Sequence, residues 1–398
     1  MIPKIDENIG ILVYTTRYEG SSGIIKNRFE DFVVSEIISE RVRISSSQND
    51  GFAVYKLKKY GIDTTHALER IYRVHGARLK ALGLKDASAL TEQFVCSTGK
   101  NKILPDITDA KISLTLIGFV SKPLSAKDMI GNRFTIKVTG LSADISTFNE
   151  YDRILNFYGY QRFGSKRAVT HLVGKALVQR RFSDALSLAL SFVSEYDDEK
   201  NTALRKIMSD SSKYAEALQQ IPPGMDIEKI LLQEMIAHQN PQKAFARLPL
   251  SMRRFYVDAY QSYLFNLTLS RAYQSGEELF EPQAGDVCYD KNSNLGRFEM
   301  DPNQKLAIPI IGYSYFKKTR FESILGRILE NEEISAKDFY FKEMQELSSE
   351  GGFRSACIKC ADFAACDDTI EFTLPRGSYA TIVLREILKP KDPLLAGF

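Results

Sequence analysis

Apolar and polar residues alternate with a period of two near both ends of the chain, whereas the middle follows a helical period. Strand-like alternation covers residues 23–60 and 110–141 and returns in residues 355–375. From about residue 168 onwards, apolar residues recur at helical spacing instead. Strands at both ends with helices between them predict an α+β protein, in which an antiparallel or mixed sheet domain is interrupted by a helical insertion.

Three shorter segments have local signals of their own. Asp63 and Thr64 can cap a helix that follows them, because an apolar stripe begins three residues later. That stripe consists of Ala67, Leu68, Ile71 and Val74. Residues 144–157 also predict a helix, and the apolar run of residues 378–388 predicts a buried strand.

Length and composition restrict the possible classes of protein. A chain of 398 residues, 44% of them hydrophobic, can form two or three domains with a sizeable core. The net charge is only +3, so a nucleic-acid partner would have to meet a local basic patch. The N-terminal residues do not resemble a secretory signal and no window is apolar enough for a membrane helix, so we expect a soluble, cytoplasmic protein.

The cysteines and histidines give little support to a metal site. Five cysteines are too few for a disulfide framework, and their number is odd. Cys357, Cys360 and Cys366 resemble part of a thiolate site, but a second pair is missing from the sequence and the four histidines are scattered. The period-two setting of these cysteines favours sheet packing, and the motifs of phosphate loops and dinucleotide sites are missing as well.

A lysine and an aspartate stand together in the stretch GLKDASALTEQF, residues 83–94. Lys85 and Asp86 follow a glycine turn and precede a segment that reads as a half-buried strand. The pattern alone leaves two interpretations open, because charges beside a sheet edge commonly serve only solubility.

A second informative stretch, NFYGYQRFGSKR, covers residues 156–167. From Arg153 to Arg181 the chain has seven Lys or Arg and no Asp or Glu. Cations interleaved with aromatic rings suit an RNA-binding surface, where phosphates are neutralised and bases stack. The alternative is a solvated helix face with buried rings, and for Lys175, Arg180 and Arg181 both interpretations stay open.

Two further aromatic residues stand in stretches that look structural when read alone. Phe32 lies in KNRFEDFVVSE, where the pattern favours a core residue. Tyr379 lies in LPRGSYATIVLRE, just after a Pro-Gly turn, and could be a sheet aromatic.

Taken in order, these stretches resemble the motifs of the TruD family of tRNA pseudouridine synthases. The resemblance rests on the strings IIKNRFEDFVVSEI, GLKDASALTEQF, NFYGYQRFGSKR, VDAYQSYLFN and LPRGSYATIVLRE. It covers nearly the whole chain and is weakest over residues 182–350. The chain departs from the family pattern at Arg28-Phe29, where the family usually has a residue followed by proline. It departs also at Asp63, Tyr158 and Tyr379.

The resemblance implies an activity and a catalytic residue. The family isomerises uridine to pseudouridine in tRNA, usually at position 13, and its catalytic residue is the aspartate that corresponds to Asp86. A carboxylate could attack C1′ or C6 of the nucleotide, or take a proton from C2′, and the sequence leaves these routes open. The resemblance implies no metal, nucleotide or redox cofactor.

The resemblance also implies roles around that carboxylate. By motif position Phe32 would stack on the substrate, Asn156 would bind it, and Tyr379 would be the C-terminal aromatic residue of the pocket. Lys26 and Lys85 would lie near the carboxylate or a phosphate, and the cation would keep Asp86 ionised. Tyr158 and Arg162 would complete the substrate-binding set, with Arg162 and the other cations of residues 153–181 on the RNA backbone.

The family further implies a fold, the α+β pseudouridine synthase core with a mixed, mainly antiparallel sheet, and a division of the chain. A discontinuous pseudouridine synthase domain would comprise residues 1–181 and 353–398, with an α+β insertion, the TRUD domain, at residues 182–352. The partner would be tRNA and the protein a monomer. A non-catalytic RNA-binding or tRNA-folding protein is the alternative, and it would have no reason to keep Lys85, Asp86 and Asn156 together.

Overall fold

The alternating segments at the two ends of the chain form strands, and the middle is mainly helical. In the computed structural model, which describes residues 1–47, 51–85, 87–100, 103–151 and 153–398, the chain divides into two compact units. The helical unit comprises Met1–Thr15 and Leu155–Cys357, and the sheet unit comprises Thr16–Ile154 and Ile358–Phe398. The predicted α+β class with mainly antiparallel sheets is confirmed.

The strands of the described residues are numbered in chain order. They are β1 (Phe32–Ile38), β2 (Phe52–Lys59), β3 (Leu79–Ala81), β4 (Leu90–Ser97), β5 (Ile107–Thr108), β6 (Ile112–Val120), β7 (Met129–Lys137), β8 (Arg153–Leu155), β9 (Val287–Tyr289), β10 (Leu295–Arg297), β11 (Lys305–Ile310), β12 (Gly352–Ser355), β13 (Cys357–Lys359), β14 (Ala361–Cys366) and β15 (Thr369–Pro375).

The α-helices of the same residues are numbered in the same way. They are α1 (Lys4–Asn8), α2 (Thr64–His75), α3 (Thr170–Val178), α4 (Phe182–Ser191), α5 (Glu199–Met208), α6 (Tyr214–Gln220), α7 (Asp226–His238), α8 (Pro241–Arg247), α9 (Leu250–Gln274), α10 (Glu322–Asn331) and α11 (Ala380–Leu388). None of the helices in the described ranges is both long and apolar enough to cross a membrane.

One mixed sheet organises the sheet unit. Its order in the described part of the chain is β14-β15-β7-β1-β4-β2-β6-β5, with β3 paired to β4. The β1–β4 pair is parallel, whereas its neighbours along the sheet pair in antiparallel fashion. Val33 lies opposite Leu90, so β1 and β4 begin at the same edge of the sheet. Lys59, the last residue of β2, pairs with Thr91 and therefore ends at that edge too.

Helix α2 begins as its sequence predicts. The side chain of Asp63 accepts a hydrogen bond from the backbone N–H of His66 at 3.1 Å, which makes Asp63 the N-cap. Gly76 ends the helix in the left-handed region, with φ of 64°. Ala67 and Ile71 are buried in the core beneath the helix, but Val74 is 70% exposed, so the predicted stripe is shorter by one residue.

Two predicted elements are wrong. Residues 144–157 do not form an α-helix, because Ser146–Glu150 is a 3-10 turn followed by the strand β8. The carboxylate of Asp144 accepts bonds from the backbone N–H and the hydroxyl of Ser146, and such local bonds compete with a helix. The predicted strand of residues 378–388 is the helix α11, whose residues are all buried and therefore show no polar face from which a period could be read.

The helical unit is built around the long helix α9. Helix α3 crosses it closely at Gly174, where a Cβ atom would lie only 2.0 Å from the backbone oxygen of Tyr256. Glycine is therefore required at this crossing. A separate sheet of this unit has the order β10-β9-β11-β12 in the residues that the structure describes.

The chain crosses between the two compact units after residues 15, 154 and 357. The functional division predicted from the resemblance, at residues 181 and 353, differs from these points and stays a prediction.

Candidate active site

Three loops of the sheet unit meet at the same end of its central strands, and one of them contains position 86. They precede β1, follow β2 and precede β4, and the strand register brings all three to the same edge. Asp86 itself lies outside the described residues, so the surroundings of the site are defined by the residues on either side of it.

Hydrogen bonds hold the backbone directly before and directly after position 86. The N–H of Lys85 donates to Oγ1 of Thr64 at 2.8 Å, and its carbonyl oxygen accepts from Nζ of Lys59 at 3.1 Å. The carbonyl oxygen of Ala87 accepts from the N–H of Gly61 at 3.0 Å. The three bonding partners belong to the end of β2, the segment after it and the start of α2, so this part of the chain positions the loop that carries the candidate carboxylate.

These bonds belong to a buried polar network. Gln93 on β4 is fully buried, and its Nε2 donates to the carbonyl oxygen of Gly83 at 3.2 Å while its Oε1 accepts from the Thr64 hydroxyl at 2.9 Å. Lys59 is also fully buried and donates to the carbonyl oxygen of Ile62 at 2.9 Å. Burying polar and charged groups costs free energy unless they are hydrogen-bonded, and a satisfied network holds one geometry.

Lys85 has a buried acid as its partner. Its Nζ lies 2.7 Å from Oε1 of Glu36 on β1, and the Glu36 side chain has no exposed surface. The second oxygen, Oε2, accepts from the backbone N–H of Phe94 at 2.8 Å. The ammonium group predicted to lie near Asp86 or a phosphate thus has a contact with Glu36, and its relation to Asp86 stays a prediction.

Phe32 and Lys26 lie together at the start of β1. Nζ of Lys26 is 4.8 Å from the centroid of the Phe32 ring, within the range of a cation–π contact. Another neighbour of this ring is Phe134, at a centroid distance of 6.3 Å and an angle of 73° between the planes. Phe32 is only 5% exposed in the free protein, as a core residue would be, and its role in substrate stacking stays a prediction.

Tyr379 follows β15, which ends at a different position along β7 from the one that Phe32 pairs with. Phe32 pairs with Ile136 of β7, whereas Pro375, the last residue of β15, pairs with Gly131. These two register positions lie about 17 Å apart along the strands. Tyr379 lies four residues beyond Pro375, and its place in a pocket with Phe32 stays a prediction.

The other predicted substrate-binding residues lie in the helical unit. Asn156 is 4% exposed, its Nδ2 donates to the carbonyl oxygen of Ser355 at 3.0 Å, and its Oδ1 accepts from Arg354 at 2.7 Å. The Tyr158 ring has two guanidinium groups near it, that of Arg354 at 4.1 Å and that of Arg162 at 5.4 Å from the centroid. The structure brings these residues into one cluster within that unit.

Several other cations of the basic segment contact acidic groups or carbonyl oxygens within the protein. Nζ of Lys175 lies 2.9 Å from Glu332, and the guanidinium of Arg181 lies 3.4 Å from Asp184. Arg180 donates to four backbone carbonyl oxygens, and its guanidinium lies 3.9 Å from the centroid of the Phe341 ring. For Lys175 and Arg180 the structure favours the structural interpretation over a phosphate contact.

The cysteine cluster does not form a metal centre in the described part of the chain. Among the residues that the structure describes, no group of three or more His, Cys, Asp or Glu side chains has a geometry that could hold a metal ion. Burial raises the pKa of the Cys360 thiol to about 12, which disfavours the thiolate that zinc requires.

The sequence matches the model of a known protein family over most of its length. The model of the family described as tRNA pseudouridine synthase D (TruD) matches residues 8–387. The chain belongs to this family. The predicted class of enzyme, a tRNA pseudouridine synthase and hence an isomerase, is confirmed by this membership.

Relatives of the TruD family extend the match to whole proteins. A "Probable tRNA pseudouridine synthase D" of Pyrobaculum neutrophilum is 29% identical and aligns with 100% of this chain and 99% of its own length. Another, of Methanopyrus kandleri, is 34% identical over 84% of this chain and 85% of its own. A crystal structure of the Methanosarcina mazei protein, described as a putative tRNA pseudouridine synthase D, superposes with a TM-score of 0.78, 28% identity and 99% coverage of both chains.

Sequence reasoning missed several residues that the structure places around these TruD-family motifs. Arg354, which contacts both Asn156 and Tyr158, lies 198 residues away from Asn156 in the sequence. Lys59 and Glu36 were part of strand patterns and carried no signal of their own. A fully buried lysine at a strand end could have been suspected only once the register was known.

Proposed function

We propose that this chain converts a uridine of tRNA, at position 13, to pseudouridine and that Asp86 supplies the catalytic carboxylate. The reaction breaks the bond between N1 of uracil and C1′, turns the base, and joins C5 to C1′. The proton leaves C5 and N1 gains one, so no redox partner is needed. A carboxylate ionised near neutral pH can act at C1′ or C6 as a nucleophile, or at C2′ as a base.

The observation that carries the proposal is the frame around position 86. A carboxylate that attacks one atom of a flipped nucleotide must be held within a fraction of an ångström, because small displacements lower the rate steeply. The bonds from Thr64, Lys59 and Gly61 to residues 85 and 87 provide such a support for the backbone. Family membership supports the same position for the catalytic group.

We propose supporting roles for the remaining residues of the set. Phe32 would stack on the everted uracil, and Asn156 would bind the base. Tyr379 would bound the pocket, and Lys26 and Lys85 would lie near the carboxylate or a phosphate. Tyr158 and Arg162 would bind the RNA next to the target. We also propose the division into residues 1–181 with 353–398 and residues 182–352, and a monomeric, cytoplasmic protein.

Incubation with tRNA tests the proposal directly. Transcribed tRNAs are treated with the protein without added metal or nucleotide, and pseudouridines are mapped by carbodiimide-dependent stops of reverse transcription. We expect one strong stop that reports position 13. Binding of tRNA without any stop would favour the alternative, a non-catalytic RNA-binding or tRNA-folding protein.

A further inference from the structure

Two aromatic rings are exposed side by side at the edge of the sheet unit. Phe29 is 43% exposed and Tyr60 is 38% exposed, and their ring centroids lie 6.1 Å apart with an angle of 46° between the planes. Solvent-exposed aromatic rings in contact with each other are an unusual use of apolar surface, and such surfaces commonly meet a partner.

The two rings adjoin the frame around position 86. Gly61, which follows Tyr60, donates its N–H to the carbonyl oxygen of Ala87 at 3.0 Å. A Cβ atom at Gly61 would lie 3.8 Å from the Phe29 ring, so this ring reaches the same residue that holds the loop. The aromatic pair is therefore continuous with the candidate active site.

The pair has one lysine beside it as well as acidic residues. The side chain of Lys111 comes within 4.0 Å of the same Gly61 position, and its carbonyl oxygen accepts from the N–H of Tyr60 at 3.2 Å. Oδ2 of Asp31 accepts a hydrogen bond from the backbone N–H of Arg28 at 2.8 Å. Glu30 is exposed beside Phe29 and would oppose a phosphate there, so the cationic side of the pair is the Lys111 side.

We propose that Phe29 and Tyr60 form a stacking surface for the base next to the target uridine. This inference rests on the proposed function. When a uridine leaves the RNA stack, its neighbour loses a stacking partner, and an aromatic ring can replace that partner. Lys111 would contact the adjoining phosphate.

The test combines protein variants with altered RNA. Full-length tRNAs are prepared with a single abasic nucleotide on the 5′ or on the 3′ side of the target uridine. Both kcat/KM for pseudouridine and the Kd of each tRNA are measured for the wild type, Phe29→Ala and Tyr60→Ala. On the normal tRNA, kcat/KM of each alanine variant is expected to be about ten-fold below that of the wild type, the size of one base–ring stack. On one of the two abasic tRNAs, the variant and the wild type are expected to have the same kcat/KM.

Conservative variants separate stacking from packing. Phe29→Tyr and Tyr60→Phe keep the rings and are expected to keep the wild-type values, whereas Phe29→Leu keeps apolar bulk and is expected to behave as alanine. A matched control is Tyr340, which is 44% exposed and lies 5.6 Å from the Tyr313 ring in the helical unit. Tyr340→Ala should show no coupling to either abasic nucleotide.

The outcomes distinguish this inference from the proposed function. Additive losses on both abasic tRNAs, or no loss for either alanine variant, would overturn the stacking surface even where the enzyme is active. A wild type that makes no pseudouridine in any tRNA would overturn the proposed function, and the Kd values would still decide whether Phe29 and Tyr60 couple to a base.

Discussion

The ammonium group of Lys59 donates to the carbonyl oxygen of Lys85 at 3.1 Å, although the Lys59 side chain has no exposed surface. A lysine is almost never fully buried without bonding partners, because its charge loses its hydration. In this protein the buried charge holds the residue immediately before the candidate catalytic aspartate. A group that is costly to bury is thus used at the point where geometry matters most for the proposed reaction.

Replacing Lys59 should therefore affect turnover more than affinity. Lys59→Met removes the donor to Lys85 and Ile62, so we expect a loss of about 1–3 kcal/mol in the free energy of unfolding. Because the loop is no longer held, kcat should fall by about ten- to a hundred-fold with little change in KM. Both are measured below the melting temperature of the variant.

The adjacent Lys58 provides the control. Its side chain is 51% exposed and forms a surface pair with Glu92 at 3.4 Å. Lys58→Met should change the free energy of unfolding by less than about 0.5 kcal/mol and leave kcat unchanged. Equal turnover in the wild type and in folded Lys59→Met would show that Lys59 serves the fold alone.

Asp86→Asn should abolish product formation while the protein still folds and binds tRNA. The substitution keeps the size of the side chain and removes the charge that the proposed chemistry needs. Product is measured by pseudouridine mapping, and affinity by titration of tRNA at fixed salt. Turnover near the wild-type rate would remove Asp86 from the mechanism and leave the non-catalytic alternative.

The parts of this structure that the sequence predicts are those with local causes. The cap at Asp63 and the alternation of β1 need only neighbouring residues. The sequence predicts a strand where helix α11 lies, because burial on all sides removes the polar face that reveals a helical period.

The site contacts have causes that are distant in sequence. Lys85 and Glu36 are 49 residues apart, and Lys59 and Lys85 are 26 apart. Lys85 meets Glu36 because β1 and β4 are parallel neighbours in a mixed sheet, and a parallel pairing leaves no short-range signature. Lys59 meets Lys85 because β2 is the antiparallel neighbour of β4 on its other side. The family resemblance pointed to Lys85, but only the fold gives it Glu36 as a partner.

The Lys85–Glu36 pair should be strongly coupled. Lys85→Met or Glu36→Gln alone leaves a buried group without its partner, which costs about 3–5 kcal/mol. The double variant should lose clearly less than the sum of the two single losses, because neither group is then left unpaired. Denaturant unfolding of the four proteins gives the coupling energy, and additive losses would mean that the 2.7 Å contact contributes nothing.

Salt dependence should separate two arginines of the basic segment. If Arg162 contacts the RNA backbone as proposed, Arg162→Ala should reduce the slope of log Kd against log salt by about one. Arg180→Ala should leave the slope unchanged and lower stability instead, since its guanidinium donates to backbone carbonyls of the protein. A reduced slope for Arg180→Ala would return that residue to the RNA-contact interpretation.

His171 should make the helical unit less stable in mild acid. Burial lowers the pKa of His171 from 6.5 to about 4, and its ring stacks on Tyr263 at a centroid distance of 5.0 Å. As the pH falls below 6.5, His171 is protonated in the unfolded chain but stays neutral in the folded protein down to about pH 4. The free energy of unfolding therefore decreases between these two pH values. The loss should reach about 2 kcal/mol at pH 5 relative to pH 7.5.

Two histidine variants isolate this contribution in denaturant unfolding. Replacing the buried imidazole in His171→Leu should remove this part of the pH dependence, because no group is left that must stay neutral in the folded state. His238→Gln should keep it, since the side chain of His238 is 55% exposed. Parallel pH profiles for the wild type and His171→Leu would show that His171 accepts its proton in the folded state.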